Sequence, residues 1–149
     1  MLPLALTASA VLLLGSASIH TLSLQKRLRS NASHQRERVA DQLRAAAQAF
    51  VVATGGHEAC LLQWPSLDWP AAVHACDASD PSQLSRGEVG EMQWSLLDWS
   101  PLGEKGSLRL QLADGRIGRF WLALDPLAPA VIGISEVQLQ ARVPQLEAD

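Results

Sequence analysis

Cys60 and Cys76 are the only cysteines in this chain of 149 residues, and each has a histidine close before it, His57 and His74. Three chemistries are open to such a set. A disulfide would close a loop of about fifteen residues and cost the unfolded chain about 3 kcal/mol of conformational freedom. It would also place this part of the protein outside the reducing cytosol. Two thiolates with two imidazoles would alternatively form a zinc ligand set, although the single residue between His74 and Cys76 is tighter than ordinary ligand pairs. Two buried free thiols are the third possibility. The isolation of the pair in a loop-rich stretch favours the disulfide, so no metal or cofactor is expected.

Four of the five tryptophans fall in an internal echo. Gln63-Trp64-Pro65-Ser66-Leu67-Asp68-Trp69 and Gln93-Trp94-Ser95-Leu96-Leu97-Asp98-Trp99 share the pattern QWxxLDW. Trp64, Trp69, Trp94 and Trp99 are candidate partner-binding residues, because indole rings offer large stacking faces to peptides, sugars or cationic groups. Two copies are too few for a repeat architecture. Tryptophans five apart beside prolines more commonly cap a core short of aliphatic mass. Asp68 and Asp98 have no spaced partner for acid–base work, no serine or cysteine sits in a nucleophile elbow, and no glycine-rich loop is built to cradle phosphate. No catalytic residue is assigned and no enzyme is expected.

These residues have to be positioned by a chain of two textures. From Leu2 to Ile19 there is no charged residue, and with His20, Thr21 and Ser23 the uncharged stretch extends to Leu24. About 18 to 20 apolar residues suffice to cross a bilayer, so 1–24 is read as a transmembrane segment. Small-residue patterns at Ala8-Ser9-Ala10 and Ser16-Ala17-Ser18 resemble signal-peptide cleavage sites, yet no basic residue precedes them and the helical pattern runs straight through. A retained anchor is the reading. Residues 25–54 follow as an amphipathic stalk helix without Pro or Gly until Gly55-Gly56, where a left-handed cap ends it. Val39, Leu43, Ala46 or Ala47, and Phe50 recur at three- and four-residue steps on one face. That face needs a cover. Either the chain's own head supplies it, or its upper turns meet the stalks of other copies, with Leu12, Leu13, Gly15, Val39 and Leu43 as the helix-packing positions.

Residues 55–149 form one head. His57 to Ser107 is rich in Pro and Gly, with a strand at Met92 to Trp99. Ser107 to Leu112 and Arg116 to Leu124 alternate around Ala113-Asp114-Gly115 as a hairpin. Val131 to Val143 adds one strand or two short ones. The expected fold is α+β: a long N-terminal helix, transmembrane and then amphipathic, packed by its end (Leu43 to Val52) on an antiparallel sheet of three or four strands.

Net charge is −3, unevenly distributed. No acid precedes Glu37, while Lys26, Arg27, Arg29, Arg36, Arg38 and Arg44 crowd the early stalk. The head has no basic stripe, so nucleic acid is not expected as a partner; lipid head groups and acidic neighbouring subunits suit the stalk.

This order of elements resembles the type IV pilin and pseudopilin superfamily, and Leu22 to Ser30 followed by Arg38 to Ala47 is similar in texture to minor pilins of the PilX type. The resemblance covers the whole chain in architecture. It implies a structural subunit of a type IV pilus or type II secretion-type filament. Such a subunit is a single-pass protein of the bacterial inner membrane with a periplasmic or extracellular head, and its partners are the lipid bilayer and other pilin-like subunits. It also implies a short basic leader ending in Gly and an early acidic residue, where this sequence reads Met1-Leu2-Pro3. Basic residues upstream of Met1 would restore the head-outside orientation that the stalk's own charges oppose. The alternative class is a solitary single-pass envelope protein whose Trp-rich head binds a ligand or protein partner.

Overall fold

The computed structural model describes residues 2–77 and 79–140, with the side chains of residues 2–21 and of Gln140 outside that description. Helix α1 runs Leu2–Ala53, and the chain divides into two compact units, residues 1–39 and 40–149. In the first unit every described side chain from Leu22 to Arg38 is exposed, and Val39 is half-buried. Leu12, Leu13 and Gly15 lie outside the described side chains. Among the described residues no helix is long and apolar enough to cross a membrane.

The second unit holds the last turns of α1 and a five-stranded sheet. Ala40, Leu43, Ala46, Ala47 and Phe50 are buried, while Asp41, Arg44 and Gln48 point outward. The three- and four-residue spacing thus places a single apolar stripe on the sheet. The chain's own head covers it. Leu43 is fully enclosed against the backbone of Gly118, which leaves it no surface for a neighbouring helix. Val52 lies on the outer face of the helix, 79% exposed, while Thr54 just beyond it is buried. Arg44 Nε donates to Glu136 at 2.7 Å, joining helix to sheet, and Arg44 also pairs with Asp41 at 3.0 Å. Glu136 and then Asp41 raise the Arg44 pKa above its ordinary value. Exposed pairs of this kind contribute little to stability.

The strands are β1 (Arg86–Val89), β2 (Met92–Leu102), β3 (Lys105–Leu112), β4 (Ile117–Leu124) and β5 (Val131–Gln140), an antiparallel meander in chain order. Leu108, Leu110, Leu112, Phe120 and Leu122 face the helix and are buried. Gly103 and Gly115 take φ of 62° and 85° in the two central hairpin turns, a region that side chains disfavour.

The sheet has more strands than the three or four expected because β1 joins it, and β2 is longer than expected. β1 is short, charged and carries Gly87, so it lacks an alternating apolar signal; it forms because Gly87 lies beneath the ring of Trp94, its cross-strand partner. β2 runs on through Pro101, past the expected end at Trp99. β1 pairs only with Met92 to Ser95, so the missing N–H of Pro101 lies where β2 needs no ladder bond on that side. The expected final strand is present to Gln140, and residues 141–143 lie outside the described ones.

Three glycines in the sheet sit under aromatic rings: Gly87 under Trp94, Gly106 under Trp99 and Gly118 under Phe120. Each ring occupies the space a side chain would take. Gly106→Ala drives a methyl group into the six-membered ring of Trp99, and overpacking of that kind costs about 1–3 kcal/mol. Gly133→Ala meets only Ala123 Cβ at an ordinary 3.6 Å. Chemical denaturation of the two variants should show a clear loss for Gly106→Ala and little change for Gly133→Ala; equal stability would contradict the packing described.

Candidate functional site

Between α1 and β1 the chain folds into short helical turns. These are His57–Gln63, Ser66–Asp68, Trp69–Ala72 (α2) and Pro81–Ser85 (α3). Prolines at 65, 70 and 81 set the starts of the last three. Asp80 caps α3 by accepting from the Ser82 hydroxyl at 2.8 Å and the Ser82 N–H at 2.9 Å. Those two bonds hold its carboxyl below the ordinary carboxylate range. With its folded pKa depressed, the cap is at full strength above the unfolded value near ~3.9 and fades as pH falls through the folded one.

Cys60 and Cys76 form a disulfide with a Cα–Cα distance of 5.7 Å, tying the His57–Gln63 turn to the segment between α2 and α3. Both sulfurs are bonded to each other, so neither is a thiolate for zinc, and His57 and His74 stand exposed on their own. Among the described residues no group of three or more His, Cys, Asp or Glu could hold a metal.

The two QWxxLDW copies adopt different structures. The first, between Pro65 and Pro70, is made of 3-10 turns and the start of α2; the second is the strand β2, with a bulge between Leu96 and Asp98. Their closing tryptophans nevertheless do the same job. Trp69 Nε1–H donates to the carbonyls of Leu61 (2.9 Å) and Trp64 (3.0 Å), and Trp99 Nε1–H donates to the carbonyl of Leu62 (3.1 Å). The Trp99 backbone N–H is taken up by the Ser66 hydroxyl at 3.0 Å. Phe50 of α1 packs against Trp94 and Trp99 with ring centroids 6.5 and 6.0 Å away. Trp69, Trp94 and Trp99 are buried, which withdraws their ring faces from any outside partner. Of the four candidate tryptophans, Trp64 alone is exposed, at 42%.

Next to Trp64 in sequence, Leu62 and Gln63 form one wall of an open cleft of about 570 Å³. Its other walls are the β2–β3 turn around Glu104 and the loop from Asp125 to Pro129, which carries Leu127 almost fully exposed. Asp125 organises that loop: its N–H donates to Ala130 O at 2.9 Å and its Oδ1 accepts from Leu127 N–H at 2.8 Å. The arrangement offers apolar contact and two carboxylates, with no nucleophile beside a base. The sequence ends the second hairpin strand at Leu124 and carries no signal for the cleft, since its walls are far apart in the chain.

No family model, curated protein or solved structure matches this chain.

The Cys60–Cys76 loop makes a direct prediction. Denatured, unreduced protein should take up no thiol reagent, and Cys60→Ser with Cys76→Ser should lower folding stability by about 3 kcal/mol, the loop-entropy value for this span. Stoichiometric labelling before reduction would contradict the bridge.

Proposed function

We propose that the protein is a structural, non-catalytic subunit of a pilus-like or secretion-type filament, anchored in a membrane by residues 1–24. The observation that carries this reading is the helix Leu2–Ala53, whose last turns are the buried lid of an antiparallel sheet while its earlier described turns are wholly exposed. A head built around the end of a helix uses that helix as its mounting. The charge-free run Leu2 to Ile19 supports the anchor, and small residues at Gly15, Ser16 and Ala17 suit close helix–helix approach in a bilayer. The disulfide suits an oxidising compartment outside the cytosol. Exposed Lys26, Arg27, Arg29, Arg36 and Arg38 suit lipid phosphates or acidic neighbouring subunits.

A second reading, a solitary envelope protein that binds a partner through its head, is favoured by the exposed Trp64, whose sequence neighbour Gln63 lines the open cleft. The two readings separate in the helix. A solitary anchor tolerates any change that keeps residues 1–24 apolar, whereas a packed subunit depends on side-chain shape.

Two outcomes are expected. The full-length chain should sediment with membranes and need detergent for release; recovery in the soluble fraction would remove the anchor. Replacing Gly15, Ser16 and Ala17 together by Leu should leave membrane insertion intact and sharply reduce co-purification with filament components. Unchanged co-purification would deny those residues a packing role, and none with the unaltered protein would favour the solitary anchor.

A further inference from the structure

The sheet face turned away from α1 carries a row across four strands. In register, Asp98 of β2 stands beside Arg109 of β3, Arg109 beside Arg119 of β4, and Arg119 beside Gln138 of β5. Arg109 is flanked in its strand by Leu108 and Leu110, and Arg119 by Gly118 and Phe120, all buried on the opposite face, so the two arginines look outward. Arg109 and Arg119 are half-exposed and, among the described residues, form no ion pair. Two like charges placed directly opposite each other in an antiparallel pair repel. Asp98 stands across from Arg109 and offsets part of this charge without an ion pair to it, its carboxylate accepting from the Ser100 hydroxyl. The Nε–H of Arg119 is shielded from water and has no acceptor, an unmet donor that a folded chain normally avoids. Trp121, two residues on and half-exposed on the same face, stands beside the row between Ser107 and Ser135.

We propose that Arg109 and Arg119 form a carboxylate-binding site on the outer face of the sheet, flanked by Trp121, which takes a glutamate or aspartate side chain from an acidic segment of a protein partner. The terminal guanidinium nitrogens of Arg119 and Arg109 match a carboxylate's two oxygens, and the bound charge screens Arg109 from Arg119. With Asp98 offsetting one of the two charges, a single negative charge balances the row; a phosphate would overfill it. Arginine and tryptophan together are characteristic of protein–protein surfaces. This site stands independently of the filament reading.

The test uses the full chain in neutral detergent, with the Arg side-chain Nε–H signals followed by NMR. The probe is a capped heptapeptide of alanines carrying two glutamates, compared with the same peptide carrying glutamines. The glutamate peptide should move the Arg119 Nε–H signal, and Arg109→Gln or Arg119→Gln should weaken its binding at least 10-fold, with the indole signals of Trp69 and Trp99 unchanged as proof of folding. Arg119→Lys keeps the charge without the fork and should also weaken binding, whereas Arg86→Gln, a cation elsewhere, should not. Four results would overturn the site: no response to the glutamate peptide, an equal response to the glutamine peptide, full binding by Arg119→Lys, or a stronger response to inorganic phosphate or phosphatidylglycerol vesicles than to the peptide.

Discussion

Two indole N–H groups on successive carbonyls hold this head together. Trp69 donates to Leu61 and Trp99 to Leu62, so the turn His57–Gln63 is gripped from one side by α2 and from the other by the sheet. A buried carbonyl without a donor costs about 1–3 kcal/mol; Trp99 meets that of Leu62, and Trp69 adds a second donor to that of Leu61, which the Trp64 N–H also reaches at 3.1 Å, while both rings fill the core. The clamp reaches further than its two bonds. Trp99 lies over Gly106, fixing how β2 and β3 approach, and packs on Phe50, fixing where α1 lies. The disulfide at Cys60 secures the same turn covalently. One short segment is therefore held by helix, sheet and loop together, which is how a small domain gains a single arrangement.

The clamp explains why the repeated sequence is no tandem binding unit. In each copy the closing tryptophan is spent on a carbonyl of the same turn, and one opening tryptophan, Trp94, is spent on covering Gly87. What remains for an outside partner is Trp64 with the cleft, and the outward row of Arg109 and Arg119. A head whose aromatic mass is largely internal suits the proposed role as an assembled subunit.

Much of this was legible in the residues. The stripe Leu43, Ala46, Ala47, Phe50 announced a buried helix face, and the alternation around Ala113-Asp114-Gly115 announced β3 and β4, because periodicity directly records which side of an element meets the core. The cysteine pair was legible as a disulfide from its isolation. The two fates of QWxxLDW were legible as well, since Pro65 and Pro70 mark the first copy as a loop and the second reads as a strand. Two things were not. β1 depends on a glycine under a ring, which leaves no pattern in its own four residues. The Arg109–Arg119 row and the cleft arise from strand register and loop approach, which bring together residues distant in the chain.

The central claim is that Trp69 and Trp99 are structural clamps and that Trp64 is the free one. Hydrogen exchange of the indole N–H signals in the folded full-length protein tests it most directly, because a bonded and buried N–H exchanges only when its surroundings open. The account predicts slow exchange for Trp69 and Trp99, rising together when the Cys60–Cys76 bond is removed, and rapid exchange for Trp64. Exchange at Trp69 or Trp99 as fast as at Trp64 would contradict it, and would return those rings to the surface as candidates for binding.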